Sequence, residues 1–199
     1  MSRLVGKQAP DFTAKAIMPN NEINESFNLT KYLDKKMGVL FFYPLDFTFV
    51  CPSEIIAFNN RLGEFSSRAK LIGISVDSHY THLAWKNTPV NKGGIGDIKF
   101  PLVSDITKSI ARDYDVLIGD AVALRATIII DEKGIVRHEY VNDLPLGRNV
   151  EETLRLLDAW LFHKEHGEVC PAGWQKGNEG MKATSEGVAD YLASNAEKL

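Results

Sequence analysis

The chain has 199 residues, 44% hydrophobic and 25% charged, with a formal net charge of -3 and a pI near 6.0. That is enough chain to bury a core without staples. Two cysteines exclude a disulfide scaffold, and the mild acidity gives no basis for a nucleic-acid or anionic-membrane partner. Residues 1–12 hold no apolar leader and no later run approaches the length of a membrane span, so a cytoplasmic protein is expected. In a reducing compartment its two cysteines are expected to be catalytic or redox-active rather than a permanent bridge.

Phe12, Ala14 and Ala16 alternate up to the turn signal Pro19-Asn20-Asn21, and Ile23 and Phe27 suggest a returning strand. Residues 29–33 read as a helical turn leading into Val39-Leu40-Phe41-Phe42-Tyr43. That continuous apolar run, ended by Pro44, has the form of a strand buried on both faces. After it, Ile55, Ile56, Phe58, Leu62 and Phe65 fall at helical spacing, predicting a helix to about residue 67 with Pro52 at its first position. Residues 71–77 form the next apolar strand, so strand, helix and strand make a parallel right-handed crossover.

A helix is expected over residues 80–87, ending before Pro89. Gly93-Gly94-Ile95-Gly96 lacks the strand and helix that a phosphate-binding loop requires and reads as a flexible surface loop. Residues 100–103 and a short helix over 106–114 precede a hairpin, with strands at 124–131 and 135–141 around Asp131-Glu132-Lys133-Gly134. Leu154, Leu157 and Leu161 share one face of a helix over 150–162. This order is thioredoxin-like α/β, with an N-terminal hairpin extension and a C-terminal arm. We divide the chain into a thioredoxin-like domain, 1–166, and an arm, 167–199, which is glycine-rich, carries Cys170 and Trp174 and ends in a helix over 185–195.

Pro44-Leu45-Asp46-Phe47-Thr48-Phe49-Val50-Cys51-Pro52-Ser53-Glu54 is the most informative stretch. Cys51 is expected at or beside a helix N-cap, where unpaired N–H groups and the positive dipole end favour a thiolate. A helix terminus contributes only about 0.3 to 1 kcal/mol to an adjacent anion, so activation needs a cation as well. Arg125, at the entry of the apolar strand Leu124-Arg125-Ala126-Thr127-Ile128-Ile129-Ile130, fits that need, because a charge placed there calls for an anionic partner. Thr48 brings a hydroxyl to the same loop. Cys170 is too distant for a C-x-x-C centre. It is either a spare thiol or one that condenses with a Cys51 sulfenic acid, and the second requires the first turn of the Cys51 helix to unwind. His163 and His166 lack the further ligands of a metal site.

These motifs resemble the typical two-cysteine peroxiredoxins, in particular the alkyl hydroperoxide reductase C-like group, from Ala9-Pro10-Asp11-Phe12 to the C-terminal helix. The resemblance implies that Cys51 is the peroxidatic nucleophile, Thr48 hydrogen-bonds the peroxide, Pro44 shields the pocket and Arg125 stabilises the thiolate and transition state. It further implies that Glu54 orients the arginine side, that Arg148 is a second arginine there, and that Cys170 is the resolving cysteine of a partner subunit. The family implies an antioxidant peroxidase with no cofactor, reduced by thioredoxin or a flavoprotein disulfide reductase. It also implies a homodimer that assembles into a decamer, and in some members holdase activity. Two departures matter: Ser53 replaces a common Thr, and Tyr191-Leu192 replaces the Tyr-Phe of oxidation-sensitive members while Gly93-Gly94-Ile95-Gly96 resembles their Gly-Gly-Leu-Gly loop. Intermediate sensitivity of Cys51 to overoxidation is expected. The rivals are a holdase whose thiols only report redox state, and a general thiol-disulfide oxidoreductase, against which the absence of a nearby second cysteine argues.

Overall fold

The structure is a computed structural model and describes residues 3–199. It forms two compact units, Met1–Val150 and Glu151–Leu199.

The first unit is built on a seven-stranded sheet in the order β2-β1-β5-β4-β3-β8-β9. Its elements are β1 (Thr13–Ile17), β2 (Ile23–Asn28), α1 (Leu29–Leu33), β3 (Met37–Phe42), α2 (Cys51–Asn60), α3 (Leu62–Ser66), β4 (Ala69–Ser75), α4 (His79–Asn87), β5 (Leu102–Ser104), α5 (Ser109–Asp113), β6 (Leu117–Ile118), β7 (Val122–Ala123), β8 (Arg125–Ile130) and β9 (Val136–Asn142). As the apolar run predicts, β3 is buried along its whole length and lies parallel to β4 and antiparallel to β8. On one face Leu40 and Phe42 join Ile72, Ile74, Ile128 and Ile130 in the main core. On the other, the ring of Phe41 stacks on Phe58 of α2 at 4.6 Å and meets Phe100 edge-on at 5.4 Å. Burial on both faces is the strongest stabilising term available to a central strand.

The structure corrects three expectations in this unit. The predicted single helix to residue 67 breaks at Arg61, whose backbone leaves the helical region (φ -105°, ψ 10°); α3 then restarts and buries Phe65. Cys51 is itself the first helical residue, so Pro52 stands second, a position that equally lacks an intrahelical acceptor for its N–H. The glycine loop is packed rather than free: Ile95 is buried, Gly93 O accepts from Trp85 Nε1 at 2.8 Å, and a Cβ on Gly94 would lie 1.8 Å from Thr88 O.

The second unit contains α6 (Val150–His166), which begins at the last residue of the first unit and runs one turn beyond the predicted end, and α7 (Ser185–Asn195), which matches its predicted bounds. Between them Val169 bridges Met181, and Trp174 is buried, its ring 4.9 Å from Phe162 and its Nε1 donating to Asn178 O. No described helix is long and apolar enough to cross a membrane.

Candidate active site

The end of β3, the first turn of α2, the start of β8 and the residues after β9 converge around one sulfur. Cys51 is fully buried at the N-terminus of α2. Thr48 Oγ1 lies 2.9 Å from Cys51 Sγ and 2.8 Å from Leu45 O. The hydroxyl has one proton and two acceptors, so it can serve the carbonyl when the sulfur is a thiol and turn to the sulfur when it is a thiolate. Arg125 opens β8 with its side chain 5% exposed; its Nη1 donates to Cys51 Sγ at 3.2 Å and to Glu54 Oε2 at 2.7 Å, and its Nε donates to Leu144 O at 2.6 Å.

Glu54 shares a face of α2 with Cys51, three residues on. Arg148 binds it through its backbone N (3.0 Å), Nε (2.9 Å) and Nη2 (2.8 Å). The Nη1 of Arg148 donates to Phe42 O and Ala126 O, and its guanidinium lies 5.3 Å over the Phe41 ring. Two guanidiniums and one carboxylate leave this buried cluster with a surplus of one positive charge. A buried unpaired charge is costly, and a thiolate at Cys51 neutralises it.

The structure therefore brings Thr48, Cys51, Glu54, Arg125 and Arg148 together. Pro44 is buried just beyond the end of β3. Cys170 lies in the second unit, where its Sγ is 3.4 Å from Ala159 O; burial pushes its thiol up, with Arg155 acting in the opposite direction. Both cysteines are free.

The sequence reading missed the group that anchors the loop before Cys51. Asp46 Oδ1 accepts from Tyr43 OH at 2.9 Å and Asp46 Oδ2 lies 2.7 Å from Nδ1 of the buried His82, on α4. Asp46 N donates to Asp77 Oδ2 at 2.9 Å. His82 Nε2 faces Val103 O at 3.2 Å and must donate there, so the other contact holds either imidazolium with carboxylate or a carboxyl proton shared with Nδ1. Burial pushes the Asp46 carboxyl up while His82 opposes the shift. The following residue, Phe47, adopts a left-handed backbone (φ 53°), a conformation a non-glycine residue keeps only when its surroundings enforce it. Here the Phe47 ring rests 5.7 Å from Trp85.

A cleft of about 490 Å³ at the opposite end of β3 and β4 is lined by Lys35, Lys36, Arg68, Lys70 and Lys99. Arg68 and Lys70 donate to the carbonyls of Glu64 and Tyr32, and Lys99 pairs with Asp97, so three of these five cations have partners within the chain.

The family model described as AhpC/TSA family matches residues 5–139, about two thirds of the chain, and the model for the C-terminal domain of 1-Cys peroxiredoxin matches residues 159–194. The chain belongs to the AhpC/TSA family of peroxiredoxins. It is 59% identical over 197 residues to an alkyl hydroperoxide reductase C of Helicobacter pylori, covering 98% of this chain and 100% of that protein. It is 52% identical over 191 residues to peroxiredoxin-1 of Gallus gallus, covering 96% of this chain and 95% of that protein. The reduced 2-Cys peroxiredoxin of Plasmodium vivax superposes with a TM-score of 0.94 at 56% identity, covering 96% of this chain and 100% of that one. This peroxiredoxin is accordingly an enzyme of thiol-dependent peroxide reduction with the thioredoxin-like fold expected from its sequence.

Proposed function

We propose that Cys51 is the peroxidatic residue of this peroxiredoxin. Its thiolate attacks one oxygen of hydrogen peroxide or an alkyl hydroperoxide, and the O–O bond breaks. Cys51 becomes a sulfenic acid and the departing oxygen leaves, once protonated, as water or alcohol. The observation that carries this reading is the convergence of Thr48 Oγ1 and Arg125 Nη1 on Sγ, at 2.9 and 3.2 Å, inside a cluster that lacks one negative charge. Charge growing on the departing oxygen is stabilised by the same fixed donors, which need no reorganisation during reaction. Glu54 and Arg148 set the direction of Arg125, and Pro44 keeps water from the sulfur.

Cys170 is the resolving thiol: it condenses with the sulfenic acid of a partner subunit, releasing water and forming an intersubunit disulfide. A dithiol donor, thioredoxin or a flavoprotein disulfide reductase, returns both thiols. In this reading the peroxidase domain is 1–166 and the arm is 167–199. The protein works in the cytoplasm as a homodimer that builds a decamer, with intermediate sensitivity to overoxidation.

Treating the reduced protein with one equivalent of hydrogen peroxide in the presence of dimedone tests the assignment. Peptide mass spectrometry is expected to place the adduct on Cys51. An adduct confined to Cys170 would overturn it.

A further inference from the structure

The guanidinium of Arg125 is steered from one side by Glu54 and from the other by a carbonyl, Leu144 O, that belongs to a short connection rather than to the sheet. In that connection Asp143, Pro145, Leu146 and Gly147 are all exposed, so burial does not hold it. Its position rests on hydrogen bonds. Asp143 accepts from Leu144 N at 2.7 Å through its side chain and from Leu146 N at 3.1 Å through its carbonyl. The closing contacts come from one amide: of the two N–H groups of Asn142 Nδ2, one donates to Tyr140 OH at 2.8 Å and the other is shared between Leu146 O at 3.1 Å and Gly147 O at 3.4 Å.

Asn142 is the last residue of β9 and lies directly opposite Arg125 in the β8–β9 ladder. The same connection ends at Arg148, and a Cβ on Gly147 would lie 3.3 Å from Val50 Cγ1, so it also abuts the residue before Cys51. A shift of the connection would therefore move the acceptor of Arg125 Nε, the start of Arg148 and the wall beside the sulfur together.

We propose that Asn142 is a positioning residue for peroxide reduction, whose side-chain amide fixes the 143–147 connection and through Leu144 O aims Arg125 at the reacting sulfur and oxygen. It acts through Arg125 and touches no substrate. The proposal rests on the role given above to Cys51.

Aspartate has the shape of asparagine but no N–H, and would set a carboxylate against two carbonyls. In reduced full-length Cys170→Ser protein, Asn142→Asp is expected to slow oxidation of Cys51 by hydrogen peroxide about 10- to 100-fold, the usual consequence of a small misplacement of a catalytic group. Alkylation of Cys51 by iodoacetamide, which draws on the same Arg125-stabilised thiolate but has no departing oxygen for the guanidinium to stabilise, is expected to fall by at least about threefold less than peroxide oxidation. Asn142→Ala introduces no charge and keeps the test decisive if the aspartate variant does not fold; its peroxide rate is expected to fall less than that of Asn142→Asp, and again more than its alkylation rate. A peroxide rate within about twofold of the parent, or equal losses in both reactions, would overturn the proposal. A slow parent protein would instead overturn the assignment of Cys51, so the two failures are distinguishable.

Discussion

Glu54 and Arg148 are joined by three hydrogen bonds of 2.8 to 3.0 Å, one of them from the Arg148 backbone, and both side chains are almost completely buried. The fourth donor to Glu54 is Arg125. Glu54 therefore serves two guanidiniums, and only one of them reaches the sulfur. Replacing Glu54 by Gln leaves two buried cations with only the Cys51 sulfur to offset them, and Arg148 loses its anionic partner. We expect a loss of about 3 to 5 kcal/mol of stability, the usual result of removing one partner from a buried pair, measured by urea unfolding. A change below about 1 kcal/mol would mean that the cluster is solvated rather than buried.

Arg125→Lys keeps the charge and loses the fork. A single ammonium cannot reach Leu144 O, Glu54 and Cys51 Sγ with the geometry of a planar guanidinium. The rate of Cys51 oxidation is expected to fall about 10²- to 10³-fold, the scale for removing one fixed donor from a developing oxyanion. Stopped-flow fluorescence after mixing with peroxide measures it, and a fall under about threefold would remove Arg125 from the reaction.

Thr48→Ser retains the hydroxyl that alternates between Leu45 O and the sulfur, whereas Thr48→Val retains only the shape. Serine is expected to stay within about fivefold of the parent and valine to lose at least about 10²-fold. Equal rates for the two variants would mean that the methyl group, not the proton, is what the site uses.

Sequence and structure agree most closely where a local pattern carries the information. The apolar run of β3, the Cys-Pro start of α2 and the turn between β8 and β9 each follow from residues that are neighbours in the chain, and with them came the placement of Cys51 and Arg125. The break at Arg61 was hidden because Phe58 and Phe65 keep one buried face across it. The two-residue strands β6 and β7 are too short for periodicity to reveal. The bond from Asp46 to His82 joins residues 36 apart, and nothing at either position signals the other. The glycine loop looked mobile because three glycines allow mobility, yet its one large side chain, Ile95, is buried.

The pH dependence of Cys170 follows from its surroundings. Burial raises its thiol above the ordinary value, with Arg155 opposing, so the folded chain holds that proton more tightly than the unfolded one. Its contribution to stability is full below the unfolded value and is lost as pH rises through the folded one. In Cys51→Ser protein, alkylation of Cys170 should have a midpoint above that of a denatured control. A midpoint below the control would reverse the sign and contradict the partly buried setting of Cys170.

Disulfide formation by a fully buried Cys51 requires the first turn of α2 to open, since the sulfur cannot otherwise meet a second thiol at bonding distance. Amide exchange over residues 47–54 is expected to be much faster in the oxidised protein than in the reduced one. Identical exchange in the two states would refute the opening.

The most direct test of the account is the second-order rate of hydrogen peroxide with reduced Cys170→Ser protein, followed by stopped flow beside Cys51→Ser. We predict a rate orders of magnitude above that of a free thiol, abolished when Cys51 is replaced. A rate like that of an ordinary thiol would contradict the claim that Thr48, Arg125 and the helix start activate this sulfur.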